Sequence, residues 1–140
     1  MISKCHFTFH HFTECNGNWT WFNNNCYQLN NQELNWMNAK SHCQKVNSKM
    51  VSIRSSNEMD FLEQNILNGT KGEIWIGGSQ TNGDWSWEDG SKFGEFQNWA
   101  AKEPNEPISL TPICVYLKKK SHKWGDAYCS DYEFPFICMS

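Results

Sequence analysis

Apolar residues recur along this chain with two different periods. From Glu33 onward, Trp36, Ala39, Cys43 and Val46 fall three, four and three apart, the spacing of one face of a helix. That helix is expected to stop near Asn47-Ser48, after which Met50-Val51-Ser52-Ile53 alternates as a strand does. Ser55 followed by Glu58 forms a capping box. It opens a second helix with a buried face of Met59, Leu62 and Ile66, ended by Asn68-Gly69. Beyond that turn the pattern is strand-like and broken by glycine: Ile74-Trp75-Ile76-Gly77-Gly78, then Trp85-Ser86-Trp87-Glu88-Asp89-Gly90. Trp85 and Trp87 project to the same face, so at least one is core. Ile113-Cys114-Val115-Tyr116-Leu117 and Phe134-Pro135-Phe136-Ile137-Cys138 read as further strands.

Two stretches depart from these patterns. Residues 89–111 show little periodicity and hold Gly90, Gly94, Trp99, Pro104 and Pro107; a structureless loop of that length in a compact domain is usually functional. At the other end, Cys15 and Cys26 enclose ten residues with an Asn-Gly turn and an Asn-rich turn, which reads as a disulfide-closed β-hairpin. Before it, residues 1–14 form an arm or stalk remnant, with Phe7 and Phe9 alternating as in a short edge strand. Cys5, His6, His10 and His11 are zinc donors by type, but their spacings match no closed tetrahedral pattern.

Composition narrows the class. A chain of 140 residues fits one domain. Seven cysteines with eight tryptophans and a formal charge of −3 point to an oxidising, extracellular compartment and away from nucleic acid, which wants a basic face. No run of ~18 apolar residues could span a bilayer and no charged-then-apolar leader precedes the domain, so the expectation is a secreted protein or the ectodomain of a membrane receptor. Lys118, Lys119 and Lys120 read as a solvated basic loop. Asn18-Trp19-Thr20 and Asn68-Gly69-Thr70 satisfy the N-glycosylation pattern, making Asn18 and Asn68 candidate acceptors on a glycoprotein. No serine elbow, His-Glu-x-x-His or phosphate-cradling glycine loop is present, and no catalysis is expected; His42 and His122 read as structural or exposed.

The candidate chemistry lies in Glu103-Pro104-Asn105 and Trp124-Gly125-Asp126. Two carboxylates and an amide are hard oxygen donors of the kind calcium takes, although a Glu-Pro-Asn triplet also occurs as a plain exposed turn.

The order Cys15, Trp19, Cys26-Tyr27, Trp36, Ala39, Cys43, Glu58, Phe61-Leu62, Trp75-Ile76-Gly77, Trp87-Glu88-Asp89-Gly90, Asn98-Trp99, Glu103-Pro104-Asn105, Cys114, Trp124-Gly125-Asp126, Cys129 and Ile137-Cys138 resembles the C-type lectin-like domain, over residues 15–140. The resemblance implies an α+β fold, two helices flanking antiparallel sheets, with a long irregular ligand-binding loop and three staples: Cys15–Cys26, Cys43–Cys138 and Cys114–Cys129. Six cysteines alone would allow fifteen pairings. It leaves Cys5 unpaired, and an odd cysteine in a secreted chain suggests a disulfide-linked homodimer.

The resemblance also implies that Trp75, Trp87, Trp99 and Trp124 are core, that the Glu103-Pro104 bond is cis, and that Glu103, Asn105 and Asp126 are calcium ligands that also bind sugar; independently of it, Glu106, Asp89 or a water is a candidate to supplement that set. In the sugar-binding members the Glu-Pro-Asn order goes with mannose, fucose or N-acetylglucosamine. Two further ligand positions fall on Pro112 and Gly125, which carry no side-chain oxygen, so calcium binding should be weakened. The alternative implied is the natural-killer-receptor branch, in which the fold persists without metal and dimers recognise cell-surface proteins. Residues near Trp85, Glu106 and the Lys118-Lys119-Lys120 loop would then be contacts.

Overall fold

A computed structural model describes residues 15–140; the stalk, zinc-donor and Cys5 readings fall outside them. Eight strands and two helices follow in chain order: β1 (Thr20–Phe22), β2 (Asn25–Leu34), α1 (Trp36–Lys45), β3 (Lys49–Met50), α2 (Ser56–Phe61) with a π-helical turn (Leu62–Ile66), β4 (Ile74–Thr81), β5 (Asp84–Trp87), β6 (Ile113–Leu117), β7 (Trp124–Tyr128) and β8 (Phe134–Met139). The sheet runs β1-β2-β8-β4-β6-β7, with β3 on β8 and β5 on β4. Its pairings are antiparallel except β4 with β8, which meet in parallel at Trp75 and Phe136. The architecture is the α+β arrangement that the resemblance implies, except that the strands join in one sheet with one parallel contact.

The hairpin of β1 and β2 turns at Asn23 and Asn24, both at positive φ, a conformation asparagine tolerates better than most residues. Strand β2 then runs through Glu33, where the apolar spacing predicts helix. The helix begins at Trp36 because the Asn35 side chain accepts the Asn38 N–H at 2.9 Å as an N-cap. Trp36, Ala39 and Cys43 are buried as expected. Val46 is not: it is the C-cap residue, its φ of −106° already off the helix, and it stands 45% exposed.

The segment after β3 also departs from simple alternation. Met50, Val51, Ser52 and Ile53 are all buried, because the chain threads between two strands: Val51 donates its N–H to Ile137 O and accepts from Gly77 N–H. Gly77 permits this approach, since a Cβ there would lie 2.6 Å from Met50 O and 2.7 Å from Val51 O.

Ser55 caps α2 by accepting the Glu58 N–H at 3.1 Å. The Glu58 carboxylate returns to the Arg54 N–H at 3.1 Å, tying down the chain before the cap. Met59 and Leu62 are buried, but Ile66 is only partly so. Leu67 donates its N–H to Leu62 O, so one extra residue enters the turn and the buried phase passes to Leu67, 1% exposed.

Three disulfides join Cys15–Cys26, Cys43–Cys138 and Cys114–Cys129. The core continues beneath the long loop as an aromatic cluster. Trp87 and Trp124 meet edge to face at 5.6 Å, and Phe93 stacks on Trp87 at 4.2 Å. Trp75, Trp87 and Trp124 are buried; Trp99 is half-buried and packs edge-on against Trp124 at 5.7 Å, forming the cluster's outer wall.

Candidate functional site

The long loop is hung on β7. Trp124 donates its N–H to Asn98 O at 2.8 Å, and Ala100 donates to Trp124 O at 2.9 Å. The loop is packed by the aromatics below and bonded along β7 before it reaches residues 103–106. There the Glu103-Pro104 bond is cis.

Asp126 decides the loop's local shape. On β7 opposite Val115 and only 4% exposed, it accepts the Asn105 N–H on Oδ1 at 2.9 Å and the Glu106 N–H on Oδ2 at 3.1 Å. One carboxylate therefore holds two consecutive amides. Charge-assisted hydrogen bonds of this kind are among the stronger ones a protein makes.

Glu103 is pinned from the other side. Its side chain is 5% exposed, and Oε2 lies 2.7 Å from Lys118 Nζ. Oε1 is buried with no protein partner. Lys118 leaves the end of β6, and its aliphatic stem crosses the space beside Gly125. A Cβ on Gly125 would lie 2.9 Å from Lys118 Cε and 3.0 Å from the Tyr116 ring and hydroxyl. The hydrogen bond to Glu103 holds the Lys118 ammonium above the usual lysine range, outweighing the opposite effect of burial, and Asp126 adds to the same direction. Burial pushes the neighbouring Tyr116 phenol up.

The structure thus brings Glu103, Asn105, Glu106 and Asp126 to one spot and adds a residue that the sequence reading placed in a solvated loop. Lys118 folds back onto Glu103, whereas Lys119 and Lys120 stay exposed. The available signal was its position: it directly follows a strand whose partner carries the site's aspartate. Elsewhere, Asn18 is exposed, its side-chain oxygen taken by Gln28 Nε2 at 2.6 Å, and Asn68 stands exposed on its turn. His42 is bonded to Asn30 at 2.9 Å, and His122 pairs with Glu63 at 3.2 Å.

Calcium takes six to eight oxygen ligands, and these residues do not fit that demand. Both Asp126 oxygens serve backbone amides, one Glu103 oxygen serves an ammonium, and positions 112 and 125 hold Pro and Gly. Among the described residues no group of three or more His, Cys, Asp or Glu side chains is arranged to hold a metal ion. What the arrangement does offer to a ligand is the partly exposed Lys118 ammonium as donor and the exposed Asn105 amide as donor and acceptor.

Comparison with known proteins gives one family. The Lectin C-type domain family matches residues 32–140. The low affinity immunoglobulin epsilon Fc receptor of Mus musculus is 35% identical over 126 residues, covering 89% of this chain and 36% of the receptor, so the chain spans about a third of that relative. Among solved structures, a complex of SPL-1 with GlcNAc superposes with a TM-score of 0.80 at 28% identity, covering 92% of this chain and 96% of that one. The Ca2+-independent C-type lectin SPL-2 from Saxidomus purpuratus superposes with a TM-score of 0.78 at 27% identity, covering 90% and 93%.

Proposed function

Since the chain belongs to the C-type lectin domain family, we propose that it is an extracellular recognition domain that binds carbohydrate at the loop face of Glu103, Asn105 and Lys118, without chemistry. The observation that carries this reading is the paired acceptor and donor at that face. The exposed Asn105 side chain offers its amide oxygen, and Lys118, 36% exposed, spends one contact on Glu103 out of three ammonium donors. Adjacent ring hydroxyls are both donors and acceptors, so a diol can answer such a pair with two hydrogen bonds. The likeness to an SPL-1 complex with GlcNAc supports N-acetylglucosamine and the related mannose and fucose sugars as the ligand class. Asp126 acts behind the contact face by keeping the loop in shape.

The same reading places the chain outside the cell, as a secreted lectin or a receptor ectodomain, with Asn18 and Asn68 as glycosylation acceptors and Cys5 as the link of a homodimer. No helix among the described residues is long and apolar enough to cross a membrane.

A second reading has its own observation. Ile108 and Leu110 are 73% and 83% exposed just past the site, and apolar side chains in such a position suit a protein partner at a cell surface. A glycan array read with the folded domain separates the two. Binding to terminal N-acetylglucosamine, mannose or fucose that Asn105→Ala abolishes supports the sugar site. An array with no glycan above background overturns it and leaves the protein partner.

A further inference from the structure

We propose that the Lys118 ammonium is the built-in cation of this loop, standing as countercharge to Glu103 and Asp126 where the resemblance implies a calcium ion, so that the loop keeps its shape and binds without calcium. This rests on the placement of the recognition face at Glu103 and Asn105, but its test needs no sugar.

The first ground is burial. A lysine paired with a carboxylate at an exposed surface contributes little. Here, however, the Glu103 side chain is 5% exposed, and a buried carboxylate that loses its partner is left with its full desolvation penalty. The loop therefore needs a positive charge at this point, and the chain itself supplies one.

The second ground is exclusion. The Lys118 stem crosses the space that a side chain at position 125 would enter, with Cε 2.9 Å and the Tyr116 hydroxyl 3.0 Å from a Cβ built there. A Cβ essentially never sits at 2.9 Å from another carbon, so Lys118 in this pose and an oxygen-bearing side chain at 125 are alternatives. Glycine at 125 and lysine at 118 form a matched pair. Pro112 agrees with them, removing the other oxygen that the resemblance places in the ligand set.

The third ground is that three of the four carboxylate oxygens of Asp126 and Glu103 are already engaged, leaving only the buried Glu103 Oε1 without a partner. Asp126 satisfies the amides of Asn105 and Glu106, and Lys118 satisfies one oxygen of Glu103. A divalent ion would have to displace the ammonium and compete for carboxylate oxygens already engaged.

The test titrates calcium chloride alone into the folded domain by calorimetry and follows thermal unfolding in EDTA and in millimolar calcium. The expected wild-type result is no binding heat and the same Tm in both. Lys118→Met should lower Tm in EDTA, and Lys118→Arg should restore most of the loss. The triple variant Lys118→Met, Gly125→Asn, Pro112→Glu should give a calcium-binding heat where the wild type gives none, with a Tm that now rises with calcium. One calcium bound by the wild type with a raised Tm overturns the proposal, as does Lys118→Met melting like wild type in EDTA. Should Lys118→Met fail to fold, the wild-type titration and Lys118→Arg still decide. If calcium proves inert while the glycan array stays blank, the sugar reading fails and the built-in cation stands.

Discussion

Asp126 holds Asn105 by its backbone, not by its side chain: Oδ1 accepts the Asn105 N–H at 2.9 Å, and Oδ2 takes the next amide, of Glu106, at 3.1 Å. A residue that the sequence presents as a metal ligand therefore works as the keeper of the loop that would bind a ligand. Asp126→Ala removes both acceptors from a buried position. The expected loss is roughly 2–4 kcal/mol, since one hydrogen bond to a charged group contributes ~1.5–3 kcal/mol. Urea unfolding measures it, and hydrogen exchange at the amides of residues 105 and 106 should accelerate more than at the β6–β7 strand amides.

Gly77 is required by close approach of backbone. In Gly77→Ala the new methyl group would meet two carbonyl oxygens of the Met50-Val51 segment at 2.6 and 2.7 Å, and backbone cannot rotate away as a side chain can. Destabilisation of at least about 3 kcal/mol is expected. Gly94→Ala, where nothing lies within 4 Å of the added carbon, should stay close to wild type in the same chemical denaturation.

The two outer disulfides should differ in weight because they close loops of different length. Cys43–Cys138 spans 95 positions and Cys15–Cys26 spans 11. Chain-entropy arithmetic assigns about 4–5 kcal/mol to the first and about 3 kcal/mol to the second. Paired Cys→Ala substitutions compared by equilibrium unfolding should reproduce that order. An equal loss from both would show that native packing, not loop closure, governs the effect.

Acid sensitivity should localise in part to Asp89. Hydrogen bonds from Ser91, and after them Arg54, bring its carboxyl from 3.8 to about 2. Because the folded value is depressed, the stabilisation is present above the unfolded value and is lost as pH falls through the folded one. Asp89→Asn should therefore be less stable than wild type at neutral pH, and the gap should close between pH 3.8 and about 2. Asp89 and Arg54 are 38% and 42% exposed, so the gap should be small and should shrink with added salt. Melting curves across that window measure it.

At the alkaline end Tyr27 gives the opposite sign. Burial, chiefly, pushes its phenol from 10.0 up to about 12. The neutral form is favoured in the fold, so its contribution is complete below pH 10.0 and disappears as pH climbs through about 12. Tyr27→Phe should flatten the alkaline limb of the stability curve, and ultraviolet titration of the phenolates should lose the step near pH 12 that the wild type shows.

Local signals in the sequence were sufficient for most elements. The three-and-four spacing of Trp36, Ala39 and Cys43 marks α1, and Ser55 with Glu58 marks the start of α2, because caps and periodicity act between residues a few positions apart. The same locality explains the misplacements. Val46 continues the apolar spacing, but the helix ends before it. Ile66 lies in phase with Leu62 until a π-helical turn adds a residue and gives the buried place to Leu67. The burial of every residue from Met50 to Ile53 comes from strands far away in sequence on either side of that segment.

What the sequence determined by itself was the family and the cysteine pattern, together with the residues of the candidate site, since these reside in residue order and in spacings the chain carries wherever it goes. What only the tertiary structure decided was the role of each charge at that site. Glu103, Lys118 and Asp126 look alike in sequence to any exposed charged residues. Their meaning changes once folding removes Glu103 and Asp126 from water and leaves a lysine as the nearest positive charge, because the energy of a carboxylate depends on what surrounds it and not on its neighbours in the chain.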